Sequence, residues 1–312
     1  MAIRPPISYP GGKWKALPQI LELVPDGIED WREPFFGGGS VTLGFIQSEK
    51  SSKCKKFIVG DLAKEQWAFW KGLQQNAKKV HDIAESWWIE KCPTQIRLQG
   101  LDENSDGYKS FEGQCEVEGR AFWAWSQSID CDTLSLEERA ARIFLVNRIS
   151  FSGMGDSGSM SRDQLKGFRM HHLDKLDEVG PLLQHLEILN ESFEVTMANT
   201  DDEKSFIFLD PPYCNQEKSG LYGRNGDTHK GFPHKEFARL CKQTKCKWLI
   251  TYDDSIKVRK MFKGKGIYVK PFHIQYTMAG KTAEDALAGE ELFIANYDIM
   301  EHESFDMLNS II

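Results

Sequence analysis

An α/β chain with a mostly parallel, twisted sheet and an inserted, mostly helical region is what this sequence predicts, and three observations carry the prediction. Short apolar runs of strand length recur along it. Helical patterns fall between several of them. The stretch from about Gln66 to Asp177 breaks that rhythm with a long, tryptophan-rich segment. Alternation of strand and helix points to parallel strands, because parallel neighbours need a long crossover to bring the chain back to the same edge of the sheet. With 312 residues, 40% hydrophobic and 27% charged, the chain can build one large domain or two smaller ones.

In chain order, the turn Gly37-Gly38-Gly39-Ser40 precedes a helical pattern over Val41–Gln47, and Lys56–Val59 reads as a buried strand closed by Asp61. Gln66–Asp177 is expected to be mostly helical, with Trp67, Trp70, Trp87, Trp88, Trp123 and Trp125 belonging to its core. Within it, Leu101–Gly119 carries Asp102, Asp106, Gly107, Gly113 and Gly119, which reads as an exposed loop or hairpin. Leu186–Leu189, Phe206–Leu209, Trp248–Tyr252 and Glu291–Ala295 read as further strands, with Ile267–Val269 a weaker one. Pro233–Gln243 has a helical start, with Phe237 and Leu240 spaced to share a face. The expected division is a domain of residues 1–65 and 178–312 interrupted by a second of residues 66–177.

The net charge of −7 argues against a uniformly basic surface but leaves room for a basic groove. Three basic groups are available to a phosphate track: Lys13 and Lys15; Arg142, Arg148, Arg162, Lys166 and Arg169; and Lys257, Arg259, Lys260, Lys263 and Lys265. The last alternates with Val258, Met261 and Phe262, as the solvent face of an amphipathic helix does. No run approaches the roughly 20 apolar residues that cross a membrane, and the N-terminus lacks a signal-peptide core, so a cytoplasmic protein is expected. The seven cysteines are scattered, without the paired spacings of a zinc site; reduced thiols and no metal centre are expected.

Asp210-Pro211-Pro212-Tyr213, directly after Phe206-Ile207-Phe208-Leu209, carries the most chemistry. The exocyclic amine of a nucleobase is a poor nucleophile, because its lone pair is delocalised into the ring. The Asp210 carboxylate and the Pro211 carbonyl can each accept one N–H bond, drawing the nitrogen towards tetrahedral geometry and stabilising the charge that develops there. Each proline fixes its own φ and extends the residue before it, and Tyr213 offers a ring for a base taken out of its stack. A strand ending at a Pro-Pro turn with a packed tyrosine is the plainer alternative.

The second motif is Glu33-Pro34-Phe35-Phe36-Gly37-Gly38-Gly39-Ser40, whose glycines let the backbone approach a ligand at the strand ends of an open sheet. Gly39 and Gly44 have the spacing of a phosphate loop, but Phe45 replaces the lysine that such a loop needs. Thr42 replaces the third glycine or alanine of a dinucleotide fingerprint, which removes the support for a nicotinamide oxidoreductase. Asp61, about twenty residues on, is placed to accept from ribose hydroxyls, and Glu33 to meet an amino-acid ammonium group. Two acids beside an adenosine-shaped crevice, without a phosphate clamp, point to S-adenosylmethionine.

Taken in order, Tyr9-Pro10-Gly11-Gly12-Lys13, the glycine turn, Asp61 and Asp210-Pro211-Pro212-Tyr213 resemble the Dam-type DNA adenine-N6 methyltransferases. Asn147-Arg148, Ser150-Phe151-Ser152-Gly153, Asn190-Glu191-Ser192-Phe193, Ile250-Thr251-Tyr252-Asp253 and Glu290-Glu291-Leu292-Phe293 match as well, so the resemblance covers most of the chain. It implies a Rossmann-like class I methyltransferase fold and a site-specific enzyme that transfers a methyl group from S-adenosylmethionine to the 6-amino group of a flipped adenine in double-stranded DNA. Tyr9, Gly12, Lys13, Glu33, Phe35, Gly37, Asp61 and Asp210 would surround the cofactor. Asp210, Pro211, Pro212 and Tyr213 would form the catalytic set.

The insert would be the target-recognition domain, with Arg148, Arg162, Lys166 and Arg169 as candidates for DNA contact. A restriction endonuclease acting on the same site would be the natural companion of such an enzyme. Members that recognise GATC carry Asn-Gly and Arg-x-Asn after the Asn-Arg pair; here Phe151–Gly158 follows, rich in glycine and serine and expected to be flexible. Cytosine-N4 methylation by the same acceptors, and a non-catalytic DNA-binding protein keeping the fold, stay open as alternatives.

Overall fold

The computed structural model describes residues 2–198, 200, 203–216, 231–276 and 287–300. Seven strands form one sheet: β1 (Asp30–Glu33), β2 (Lys56–Gly60), β3 (Leu186–Leu189), β4 (Ser205–Leu209), β5 (Lys247–Asp253), β6 (Tyr268–Tyr276) and β7 (Leu287–Ala295). Their order is β3-β2-β1-β4-β5-β7-β6. β2, β1, β4 and β5 run parallel to one another, and β7 pairs antiparallel with both β5 and β6. The chain therefore moves outward from β1 through β2 to β3, then returns to the other side of β1 to lay down β4. At that reversal the helical connections leave in opposite directions, opening a crevice above the carboxyl ends of β1 and β4.

The helices are α1 (Leu17–Leu23), α2 (Ser40–Ile46), α3 (Lys64–Lys91), α4 (Pro93–Leu98), α5 (Asp106–Ser128), α6 (Leu136–Ile149), α7 (Arg162–Gly167), α8 (Asp174–Val179), α9 (Phe193–Met197), α10 (His234–Gln243) and α11 (Ile256–Met261). Among the described residues, no helix is long and apolar enough to cross a membrane. The chain divides into two compact units. One holds residues 2–12 and 63–188, and the other holds residues 13–62 and most of the described chain from Leu189 onward. The helical unit is thus wider than the expected 66–177 and takes in the N-terminal stretch, where Asn147 Nδ2 donates to the Ser8 carbonyl and Asn147 Oδ1 accepts from Ser8 N–H.

In the sheet unit, Ile207, Leu209, Trp248, Ile250, Leu292 and Ile294 pack with Phe237 and Cys241 of α10 and Val258 of α11. The basic residues Lys257, Arg259 and Lys260 lie away from that buried Val258, as the amphipathic reading requires. β1 went unread in the sequence because three of its four residues, Asp30, Arg32 and Glu33, are ionisable. Each finds a partner in the fold: Asp30 takes Arg32 bidentately, and Arg32 Nη1 also donates to the Thr196 carbonyl at 3.0 Å.

The helical unit corrects one expectation outright. Leu101–Gly119 is not an exposed loop or hairpin; from Asp106 it is the first half of the 23-residue helix α5. Ser105 caps it by accepting from Tyr108 N–H, and Tyr108, Cys115 and Phe122 recur every seventh residue as a buried stripe. Its glycines were misleading because one serves packing: a Cβ on Gly119 would meet Leu165 Cδ2 at 2.4 Å. Gly72 of α3 plays the same part against α6, where a Cβ would lie 2.4 Å from the Leu136 carbonyl oxygen. Trp70 and Trp88 are fully buried, whereas Trp67, Trp87, Trp123 and Trp125 are half-buried.

Candidate active site

The parallel strands deliver their acids to one edge. Glu33 ends β1, Asp61 follows β2, Asp210 follows β4 and Asp253 ends β5. Because these strands share direction and register, the four carboxyl groups collect at the carboxyl end of the sheet, around the reversal between β1 and β4.

Asp210 is held from two sides. Lys13 Nζ lies 2.8 Å from Oδ2, and the Thr251 hydroxyl donates to Oδ1 at 2.7 Å. Each oxygen keeps a second lone pair, so the carboxylate is oriented without being used up. Pro211 is buried and Tyr213 half-buried. The Tyr213 hydroxyl donates to Glu291 Oε2 at 2.6 Å, its ring stacks on Tyr252 at 5.9 Å, and the Lys13 ammonium lies 5.0 Å from its centroid. Lys13, expected around the cofactor, therefore has its charge against the acceptor carboxylate and the tyrosine ring.

Around the glycine turn, Gly37 (φ 43°) and Gly39 (φ 70°) occupy the left-handed region, where a side chain would be strained. Asp61 Oδ2 accepts from Gly37 N–H at 2.9 Å, tying the turn to the end of β2, while Asn190 Nδ2 donates to the Asp61 carbonyl. Phe35 stacks on Phe193 at 5.7 Å and meets Phe237 edge-on. Glu33 is buried, and its Oε2 accepts from Thr42 N–H at 3.0 Å and from the Thr42 hydroxyl, which itself accepts from Trp31 Nε1. The residue that breaks the dinucleotide fingerprint is thus the one that anchors this acid.

Burial pushes the Glu33 carboxyl up to about 8, against the pull of the Thr42 hydrogen bonds and with help from the charges of Asp210 and Asp61. The folded state then holds a proton that the unfolded chain releases near 4.5. Its contribution to stability is complete below that value and is lost as the pH rises through about 8. The thermal midpoint of the ligand-free wild type should accordingly fall more steeply across this window than that of Glu33→Gln. Equal slopes would refute the assignment.

These features fit an amino-acid-bearing adenosine. A buried carboxyl ready to ionise opposite an ammonium group, bare backbone at Gly37 and Gly39, an acid closing the next strand and an aromatic wall at Phe35 are the groups that S-adenosylmethionine asks for. The family model described as D12 class N6 adenine-specific DNA methyltransferase matches residues 9–274, from Tyr9 into β6.

The chain belongs to this family.

The D12 enzyme is similar to the type II methyltransferase M1.LlaDCHI of Lactococcus lactis subsp. cremoris, 23% identical over 95% of this chain and 96% of that protein. It is also similar to the type II methyltransferase M.MjaIII of Methanocaldococcus jannaschii, 24% identical over 71% of this chain and 73% of the other. The modification methylase StsI of Streptococcus sanguinis is 25% identical over 72% of this chain and 31% of that protein. The protein is a site-specific DNA-methyltransferase acting on the adenine 6-amino group, with a Rossmann-like methyltransferase fold. Its reaction requires a methyl donor, and its substrate is DNA.

Within the helical unit, the expected DNA-contacting residues are engaged with one another's surroundings. Arg162 pairs with Glu116 and Lys166 with Glu112, both acids lying on α5, and Arg169 Nη1 donates to the Phe168 carbonyl at 2.9 Å. Arg148 is half-buried, and its Nε has no partner. Arg142 must be removed from the phosphate-track group. It is 0% exposed and bound bidentately to Asp156, so it cannot reach a phosphate. The same pair pins the segment expected to be flexible: Phe151–Gly158 forms short 3₁₀ turns closed by a bridge between Ser150 and Met160. Tyr9 and Gly12 sit in the N-terminal stretch, joined by the bond from Gly12 N–H to the Tyr9 carbonyl.

Sequence reasoning gave no role to Thr42, Thr251, Asp253 or Glu291. A signal existed for Thr251, a polar residue inside the apolar run Trp248–Tyr252, since such residues are kept only where something bonds them; Asp253 and Glu291 each stand beside a second acid at the edge of a run and gave none.

Proposed function

We propose that the protein binds S-adenosylmethionine at the carboxyl ends of β1 and β2 and methylates an adenine extruded from duplex DNA against Asp210, Pro211 and Tyr213. Glu33 would take the amino-acid ammonium group, Asp61 the ribose hydroxyls, Phe35 one face of the cofactor's adenine, and Gly37 the close backbone approach, with Tyr9, Gly12, Lys13 and Asp210 completing the surround. S-adenosylmethionine, when bound, supplies the electrophilic methyl carbon. Asp210 and the Pro211 carbonyl accept the two N–H bonds of the target amine, and Pro212 keeps the turn rigid. The Asp210 carboxylate, held in place by Lys13 and Thr251, stabilises the positive charge that builds on the nitrogen. Tyr213 stacks on the base.

The observation that carries this reading is the double restraint on Asp210, which fixes an acceptor carboxylate three residues before a ring. Residues 66–177 act as the target-recognition domain, with Arg148, Arg162, Lys166 and Arg169 meeting DNA once their present partners are exchanged for phosphate or base. The enzyme would work in the cytoplasm, beside a restriction endonuclease acting on the same site. The test is to incubate purified protein and S-adenosylmethionine with unmethylated genomic DNA, then map methylated positions by single-molecule sequencing and identify the product nucleoside. N6-methyladenine in a discrete motif is expected; N4-methylcytosine, or no product, would contradict the reading.

A further inference from the structure

Glu291 lies on β7 directly opposite Asp253 of β5 in the antiparallel register, so the two side chains leave the same face of the sheet as neighbours. They are 2% and 7% exposed. Each has one oxygen engaged and one buried without a partner: Asp253 Oδ1 accepts from Cys214 N–H at 2.8 Å and Glu291 Oε2 from the Tyr213 hydroxyl at 2.6 Å, while Asp253 Oδ2 and Glu291 Oε1 have none. Two adjacent acids in such a place cost stability, and apolar residues like the neighbouring Leu292 and Ile294 would pack the strand better. Their bonds show what the acids have in common. They grip consecutive residues immediately after the Asp-Pro-Pro turn, one by its backbone and the other by the far end of its ring.

A tyrosine hydroxyl lies on the ring's own rotation axis, so a bond there fixes the first side-chain torsion and with it the place of the ring, while stacking on Tyr252 holds the ring's tilt. We propose that Glu291 is a positioning residue for methyl transfer, holding the Tyr213 ring in the place where the target base stacks. The proposal rests on the reading of Tyr213 as the stacking group. Without the bond the side chain samples other first-torsion rotamers, and the competent fraction of the bound state falls.

The test compares kcat and KM for methyl incorporation from labelled S-adenosylmethionine into unmethylated genomic DNA for wild type, Glu291→Ala, Glu291→Gln, Tyr213→Phe and the Glu291→Ala/Tyr213→Phe double variant. Loss of a charge-assisted bond predicts about a tenfold fall in kcat for Glu291→Ala and for Tyr213→Phe. The double variant should be no slower than either single, and Glu291→Gln, which still offers an acceptor, should stay near wild type. A further tenfold loss in the double variant would overturn the proposal, because Glu291 would then act through something other than the hydroxyl. Should Glu291→Ala not fold, Tyr213→Phe alone decides: full activity without the hydroxyl would overturn it, and the tenfold loss with Glu291→Gln near wild type would support it. Tyr213→Ala separates the two readings. Unimpaired turnover there sinks base stacking itself, whereas impaired turnover with additive losses in the cycle sinks only the role of Glu291.

Discussion

Asp210→Ala is expected to bind S-adenosylmethionine and DNA yet transfer methyl groups at least on the order of 10²–10³-fold more slowly, the usual consequence of removing one oriented group that stabilises developing charge. The carboxylate is the only acceptor on the Asp-Pro-Pro-Tyr turn that carries a full charge, and Lys13 and Thr251 exist at this site to aim it. Removing it also leaves the Lys13 ammonium, 3% exposed, without its nearest acid, so the variant's thermal midpoint should be measured alongside. Asp61→Ala is the contrasting variant. Its carboxylate orders the glycine turn through Gly37 N–H, so its loss should mainly weaken cofactor binding. Cofactor affinity measured by calorimetry and single-turnover transfer would separate them; equal loss of cofactor affinity in both would undo the division of labour.

Asp156→Ala should destabilise the helical unit by roughly 3 kcal/mol, the low end of the range for stranding one half of a buried ion pair, because Arg142 is fully buried while Asp156 is partly exposed. Arg142 donates to both Asp156 oxygens, at 2.9 and 2.8 Å, and to the Ser126 carbonyl at 2.7 Å, while Gln127 Nε2 adds a third bond to Asp156. Losing the aspartate leaves a guanidinium charge inside the unit without its ion-pair partner. Replacing both, as Arg142→Leu/Asp156→Ala, removes the stranded charge and should recover a large part of the loss. Urea denaturation followed by circular dichroism reads both. A loss below about 1 kcal/mol would mean that water reaches Arg142 and that the pair is a surface interaction in disguise.

Legibility in the sequence followed the physics of each element. β2, β4 and β5 could be read because each is centred on an unbroken apolar run, and β3 because Leu186 and Ile188 are buried on either side of an exposed Glu187; all four lay close to their expected ends. β1 could not, because its charges are satisfied by Thr42, Thr196 and one another, partners fixed only on folding. Leu101–Gly119 misled in the opposite sense. Glycine is a local signal of turns, but Gly119 was there to let Leu165 come close, and contact across 46 residues outweighed local preference.

The sequence by itself determined the chemistry. Asp210-Pro211-Pro212-Tyr213, the glycine turn and the acid after β2 are contiguous motifs whose function lies in residue type and short spacing, and short spacing survives without a fold. Tertiary structure alone decided which charges work together. Lys13 meets Asp210 across 197 residues and Tyr213 meets Glu291 across 78, while Arg142, one cation among several in the sequence, is buried on Asp156. Electrostatic interactions act over a few ångströms through a medium set by burial, and neither the distance nor the burial of such a pair is written in either partner's neighbourhood along the chain.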